Sequence, residues 1–166
     1  MRKPMRVAIA FLFLSFGSPS FGTSSSVSVT ATIDQTQSAN VKLKVLVKNE
    51  SATAVSIPRD ALPWVNGVFG IELFPFVDDR SGKQLKQLFG LEHSVADELI
   101  LPGKTIEGEI LLAERLPTLG DVRARNDVIL FWSHKFVGEL ADGNRTRISK
   151  RFGGMIMLPR ITNAQK

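Results

Sequence analysis

Val41-Lys42-Leu43-Lys44-Val45-Leu46-Val47-Lys48 is the stretch that decides the fold. Successive side chains of an extended chain point to opposite faces. Val41, Leu43, Val45 and Val47 therefore share one face, and Lys42, Lys44, Leu46 and Lys48 share the other. Period-two patterning with β-branched residues on one side specifies a half-buried strand. The lysines place water on the opposite side. Just upstream, Val27, Val29, Ala31 and Ile33 alternate with Ser28, Thr30 and Thr32 in the same manner, and residues 34–38 read as the loop between.

Working outward, Asn49-Glu50-Ser51 turns the chain and Val55-Ser56-Ile57 is short and extended before Pro58. Residues 60–64 make an irregular crossing anchored by Trp64, and Phe69–Val77 reads as a strand. Pro75 cannot donate to a sheet ladder, which predicts an edge position or a bulge there. Asp78–Gly82 is a turn; residues 86–100 admit either a short helix or an irregular loop. Leu101-Pro102-Gly103-Lys104 is a Pro-Gly turn. Thr105–Leu112 alternates again, with Ile106, Ile110 and Leu112 on one face and Glu107 and Glu109 on the other. Asp127–Val137 is the most apolar strand, Ala141–Asn144 a hairpin signal, and Thr146–Phe152 the return, extended by Met155–Leu158 up to Pro159. A hairpin centred on residues 142 and 143 sets Trp132 opposite Gly153 or Gly154, where a missing side chain leaves room for the indole.

Seven or eight short strands with turn signals between them and almost no helical periodicity predict an all-β, antiparallel, immunoglobulin-like β-sandwich. Its ordered core runs over about residues 27–159, within a single domain spanning 23–166.

The first 22 residues read differently. Met1–Arg6 is basic, Val7–Phe16 is apolar apart from Ser15, Gly17-Ser18-Pro19 breaks a helix, and Ser20-Phe21-Gly22 supplies small residues for cleavage. This is a secretory signal peptide cut between Gly22 and Thr23, which predicts a secreted or periplasmic protein. The apolar run is half of the ~20 residues a membrane span needs, so no transmembrane segment is expected in the mature chain. Removal of the leader takes three of the 21 Lys+Arg and leaves 18 against 16 Asp+Glu. Residues 115–166 keep 10 basic and 4 acidic side chains, a basic C-terminal part. There is no cysteine. Thiol chemistry, iron–sulfur clusters and Cys-based zinc sites are thereby excluded, and packing alone must hold the domain.

Val45–Asn49 (VLVKN), Ser51, Val55, Trp64, Phe74–Gly82 (FPFVDDRSG) and Leu99–Gly103 (LILPG) carry a resemblance. This layout resembles the immunoglobulin-like pro-domain of secreted zinc proteases of the deuterolysin type, over about half of the mature chain. The resemblance implies a sandwich fold and an extracytoplasmic setting. The peptidase of that family carries a His-Glu-x-x-His helix. Here His93 precedes Ser94-Val95-Ala96 and His134 precedes Lys135-Phe136, so the peptidase motif is missing. A protease-inhibitor or chaperone-like partnership with a separate protein is what the resemblance leaves.

The chemistry-bearing residues are few. His134 shares a strand face with Leu130, Trp132 and Phe136; a soft-metal reading joins it to Met155 or Met157 as a copper(I) carrier. The plainer reading makes His134 a strand-end side chain with its tip near solvent and the methionines core residues. His93, beside Ser94 and near Glu92, Asp97 and Glu98, is the candidate centre of a hydrolase, against the plainer reading of a solvated loop. Asp78-Asp79-Arg80-Ser81-Gly82 imitates a calcium loop, yet Leu88 stands where the bidentate Glu belongs, so a turn is expected. Arg145, Arg147 and Arg151, with Arg123 and Arg125 near in sequence, form a basic stripe suited to an anionic partner, nucleic acid excepted, or to a solvated strand face. Asn49-Glu50-Ser51 and Asn144-Arg145-Thr146 fit glycosylation sequons. The expectation is a non-catalytic binding or accessory module without cofactor, recognising a protein through a sheet face, a sheet edge or loops.

Overall fold

The computed structural model describes residues 27–34, 40–92 and 94–162; the leader, its Gly22–Thr23 junction and His93 lie outside them. Strands β1 (Val27–Asp34) and β2 (Lys42–Asn49) pair antiparallel, and β2 also pairs with β6 (Thr105–Leu111), giving a three-stranded sheet. The second sheet holds β3 (Val55–Pro58), β4 (Glu72–Val77), β5 (Asp97–Ile100), β7 (Val128–Leu140) and β8 (Arg147–Leu158). Two short helices, α1 (Leu112–Arg115) and α2 (Leu119–Arg123), join β6 to β7. The chain crosses between sheets after β2, β5 and β6, so successive strands fall as in immunoglobulin sandwiches, with the hairpin of β7 and β8 closing the second sheet.

The alternation read from residues 41–48 fixes the inner face. Val41, Leu43, Val45 and Val47 are fully buried, and they meet Val128, Leu130, Trp132 and Phe136 of β7 across the sandwich core. The last hairpin has the expected register: Trp132 lies opposite Gly154. A Cβ on Gly154 would stand 2.8 Å from the indole Nε1, so the ring occupies the space a side chain would need. Gly143, with φ +80°, makes the turn.

β7 is the spine of its sheet. One edge pairs with β8 along almost its whole length; the other is shared by β4, opposite 128–133, and β3, opposite 139–140. Pro75 sits on β4, whose far side is a sheet edge. Its carbonyl accepts from the Leu85 N–H on that far side, where the missing proline N–H costs nothing. Two expectations need correction. The strand predicted from Phe69 begins only at Glu72, and Phe69 lies exposed in the turn before it. Residues 97–100 of the uncertain stretch form β5, an edge strand on β3, because Ile100 is buried opposite Val55.

Asn49 is buried at the end of β2. Its Nδ2 donates to the Thr53 and Ile100 carbonyls at 2.8 and 2.9 Å, and its Oδ1 accepts from the Ser51 N–H and Oγ. The sequon at Asn49 is thus a turn clamp with both amide protons used, and a glycan there is incompatible with the fold.

Candidate functional site

The outward residues of the five-stranded sheet alternate with its core residues. On β7 they are Ile129, Phe131, Ser133, Lys135, Val137 and Glu139; on β4, Glu72, Phe74 and Phe76; on β8, Arg147, Ser149, Arg151, Gly153, Met155 and Met157. Cross-strand register aligns them in rows. Phe74, Phe131 and Met155 form one row, and Phe76, Ile129 and Met157 the next. Phe131 packs edge-on against Phe76 at 6.0 Å between ring centres. Phe131 is still 42 % exposed and Met155 57 %. Core burial of these six is not open to them, because the other side of each strand already fills the interior. These exposed side chains are contiguous on one outer sheet face, the arrangement that sets a patch apart from scattered surface hydrophobics.

Toward the other end of the same face the chemistry turns polar. Glu72, Ser133 and Gly153 form a row, and Lys135 stands directly opposite Arg151. Arg151 bonds Ser133 Oγ at 3.1 Å and pairs with Glu72 at 3.5 Å. Beyond it lies a hollow of about 320 Å³ between the sheet and the segment Pro58–Gly70, bordered by Lys135, Arg147 and Arg151 and by Val68 and Phe69. Both of those apolar side chains are exposed.

The residues singled out in the sequence are distributed as follows. His134 does share its face with Leu130, Trp132 and Phe136, but that face is the core, mid-strand, and His134 is 1 % exposed. Met155 and Met157 point the opposite way, to solvent. The two halves of the copper reading are therefore separated by the thickness of the sheet, and the plainer reading is inverted as well: the histidine is inside and the methionines outside. Among the described residues neither ring nitrogen of His134 makes a hydrogen bond of good geometry, the Gly70 backbone being a polar neighbour. Burial pushes its pKa down to about 4, with the nearby Gly70 backbone opposing part of that shift. The His93 hydrolase reading lies outside the described residues. Among these residues no group of three or more His, Asp or Glu side chains is placed to hold a metal.

Of the basic stripe, Arg147 and Arg151 lie on the outer face, and Arg145 sits exposed in the hairpin turn with φ +53°. Arg123 does not belong to it. Its guanidinium is buried and donates to the Pro159 carbonyl from Nε and Nη2 at 3.1 and 2.9 Å, tying α2 to the end of β8. Asp79 accepts from the Ser81 hydroxyl and, more weakly, from the Ser81 N–H, which together hold its carboxyl below the usual range and close an ordinary turn through Gly82. Sequence reasoning missed the Phe74, Phe131 and Met155 row, although Val128–Trp132 carries it: an apolar residue at every position there means that one set must face outward.

A larger cleft of about 620 Å³ lies beside Trp64, Glu92, Glu98 and Glu107. Each carboxylate is engaged: Glu92 with the Asn66 N–H, Glu98 with Arg59 and Glu107 with Lys44. The indole of Trp64 fills the space over Gly108, where a Cβ would come within 2.1 Å. This cleft is the seam at which the crossing segment packs on β6.

No family model and no curated protein matches the chain. Among solved structures, an X-ray structure of a Northeast Structural Genomics Consortium target is similar at a TM-score of 0.41 and 10 % identity. The similarity covers 83 % of this chain and 89 % of that one. Among the described residues no helix is long and apolar enough to cross a membrane.

Proposed function

We propose that this chain is an exported, non-catalytic binding module that recognises another protein with the outer face of its five-stranded sheet. The observation that carries the reading is the pair of apolar rows, Phe74–Phe131–Met155 and Phe76–Ile129–Met157, laid side by side on a regular sheet and open to solvent. Aromatic and methionine side chains on a rigid support are what protein interfaces concentrate at their centres. The polar row at Glu72, Ser133 and Gly153 and the cations beyond it supply a rim. Export rests on the leader of residues 1–22, and an inhibitor or chaperone role toward a protease rests on the resemblance of the sandwich to deuterolysin-type pro-domains.

The test is a footprint. Met155 and Met157 of the purified mature domain are oxidised with dilute peroxide, alone and in the extracytoplasmic fraction of the producing cells, and sulfoxide formation is read by mass spectrometry. Protection of both methionines in the fraction, lost in Phe131→Lys, supports the face. Equal oxidation with and without the fraction rejects it. Amino-terminal sequencing of the same product tests export: it starts at Thr23, and a product retaining Met1 overturns that part.

A further inference from the structure

Lys135 and Arg151 are direct cross-strand partners on the outer face. Like charges in that position repel each other at a cost to the sheet. Arg147 stands on the same face four residues before Arg151. Arg151 has Glu72 as a counter-ion and Arg147 has Glu139 as its cross-strand neighbour, whereas Lys135 faces Arg151 and makes no ion pair among the described residues. All three border the hollow of about 320 Å³, together with Asp60 and Glu72, so cations outnumber carboxylates three to two. The rest of its border is apolar, chiefly Phe69, Val68 and Val137. The apolar rows start at Phe131, four residues along β7 from Lys135, or roughly 13 Å at the rise of a strand.

We propose that this hollow is a socket for a carboxylate side chain of an acidic segment in the partner protein, a segment whose neighbouring apolar side chains then cover Phe131 and Met155. The inference rests on the reading of this face as a protein-binding face and names the chemistry of what it binds. A Glu side chain has the right form: its methylene stem lies along Val137 and Phe69 while its carboxylate bridges Lys135 and Arg151 and relieves their repulsion. A basic segment would add charge of the same sign at this end. A wholly apolar segment would strip water from Lys135 and give it no counter-ion, which costs more than the contact returns.

The probe is a synthetic peptide, Glu-Ser-Glu-Ser-Leu-Ser-Leu-Ser with blocked ends, whose alternate residues present two acids and then two leucines to one side. A second peptide carries Lys in place of Glu. Both are titrated into the isotope-labelled mature domain and followed by NMR. The acidic peptide is expected to shift the amides of Lys135, Val137 and Arg151 and the Met155 methyl. Its affinity falls about tenfold between about 50 mM and about 500 mM salt, and about tenfold in the doubly exchanged Lys135→Glu/Arg147→Glu protein, checked for folding by circular dichroism. The basic peptide leaves those signals in place. Equal response to both peptides, or an unchanged affinity in the double variant, overturns the socket. If Phe131→Lys alone abolishes the methionine footprint while the charge exchange leaves it intact, the socket falls and the apolar face stands. If neither variant alters the footprint, both readings fall.

Discussion

The two outer faces of this sandwich are built on the same strand geometry and are chemically opposite. On the three-stranded sheet, Lys42 pairs with Glu109 at 2.7 Å, Lys44 with Glu107 at 2.8 Å, and Lys48 with Glu50 at 3.6 Å. Thr30, Thr32 and Ser28 fill the places between them on β1. Each of these lysines has an anion within reach, two across the ladder and one just beyond the end of β2, so the charges of this face are matched in place. On the five-stranded sheet the middle of the face is aromatic and thioether, and at its end Lys135 faces Arg151. A surface meant only for water resembles the first face. The second exposes apolar area and sets two like charges directly opposite each other, Lys135 and Arg151.

The largest expected effect breaks this contrast directly. Phe131→Lys places an ammonium at the centre of the apolar rows and is expected to weaken partner binding by about 100-fold, near 3 kcal/mol, as removal of a central aromatic anchor does. The side chain is 42 % exposed, so the fold survives it, and thermal melting separates the two effects. A protein that loses binding only because it unfolds, or one that binds as before, removes the contrast between the faces.

The next effect lies three residues along β7 from Phe131, on the inner side. His134 is neutral in the folded protein at pH 7, with its pKa lowered from 6.5 to about 4. The unfolded chain takes up the proton first as pH falls, so stability is lost across the window from about pH 6.5 down to about pH 4 and levels off below it. The shift corresponds to about 3 kcal/mol over that window. His134→Leu removes both the unsatisfied imidazole and this pH dependence, and is expected to be at least as stable as the parent at pH 7. Urea unfolding at pH 7 and pH 4.5 measures it; a variant with the same pH slope as the parent would show that another group is responsible.

How far these faces could be read in advance differs strand by strand. In β2 the lysines announce the wet side, and the structure has every residue of that reading in place. In the first five residues of β7, Val128–Trp132, both sides are apolar, so period two fixes which residues travel together but not which set is buried. The pairing of Trp132 with Gly154 was legible because a glycine opposite an indole has a steric reason. The exposure of Phe131, Met155 and Met157 was not, because it depends on β4 covering one edge of β7 and on no other described segment covering the face. For the same reason His134 was misplaced toward solvent: a single histidine in an apolar strand carries no sign of its depth. The hollow is assembled from β7, β8 and the segment before β4, and Phe69, assigned to a strand by its neighbours, forms its lip through a turn at Gly67–Gly70 that no local pattern announced.

A smaller effect tests whether β8 is held from within. Gly154→Ala sets a methyl 2.8 Å from Nε1 and 3.0 Å from Cε2 of Trp132, a ring already 93 % buried between the sheets. Small overpacking of a filled interior costs about 1–2 kcal/mol, and here it pushes the indole rather than the outer rows. Stability should fall by that amount while the oxidation rates of Met155 and Met157 in the isolated domain stay as they were. A change in those rates would mean that the inner and outer sides of β8 are not independent.

The smallest effect is the control that gives the contrast its meaning. Lys44→Ala with Glu107→Ala removes one ion pair at 2.8 Å from the three-stranded sheet, with Glu107 well exposed. Exposed pairs of this kind contribute little, since Coulomb attraction is screened and both side chains lose freedom to form them. The melting temperature is expected to stay within about 2 °C of the parent, and partner binding to be unchanged. Were this pair removed and binding lost, the ionic lattice would be the recognition surface, and the apolar rows of the other sheet would need a different explanation.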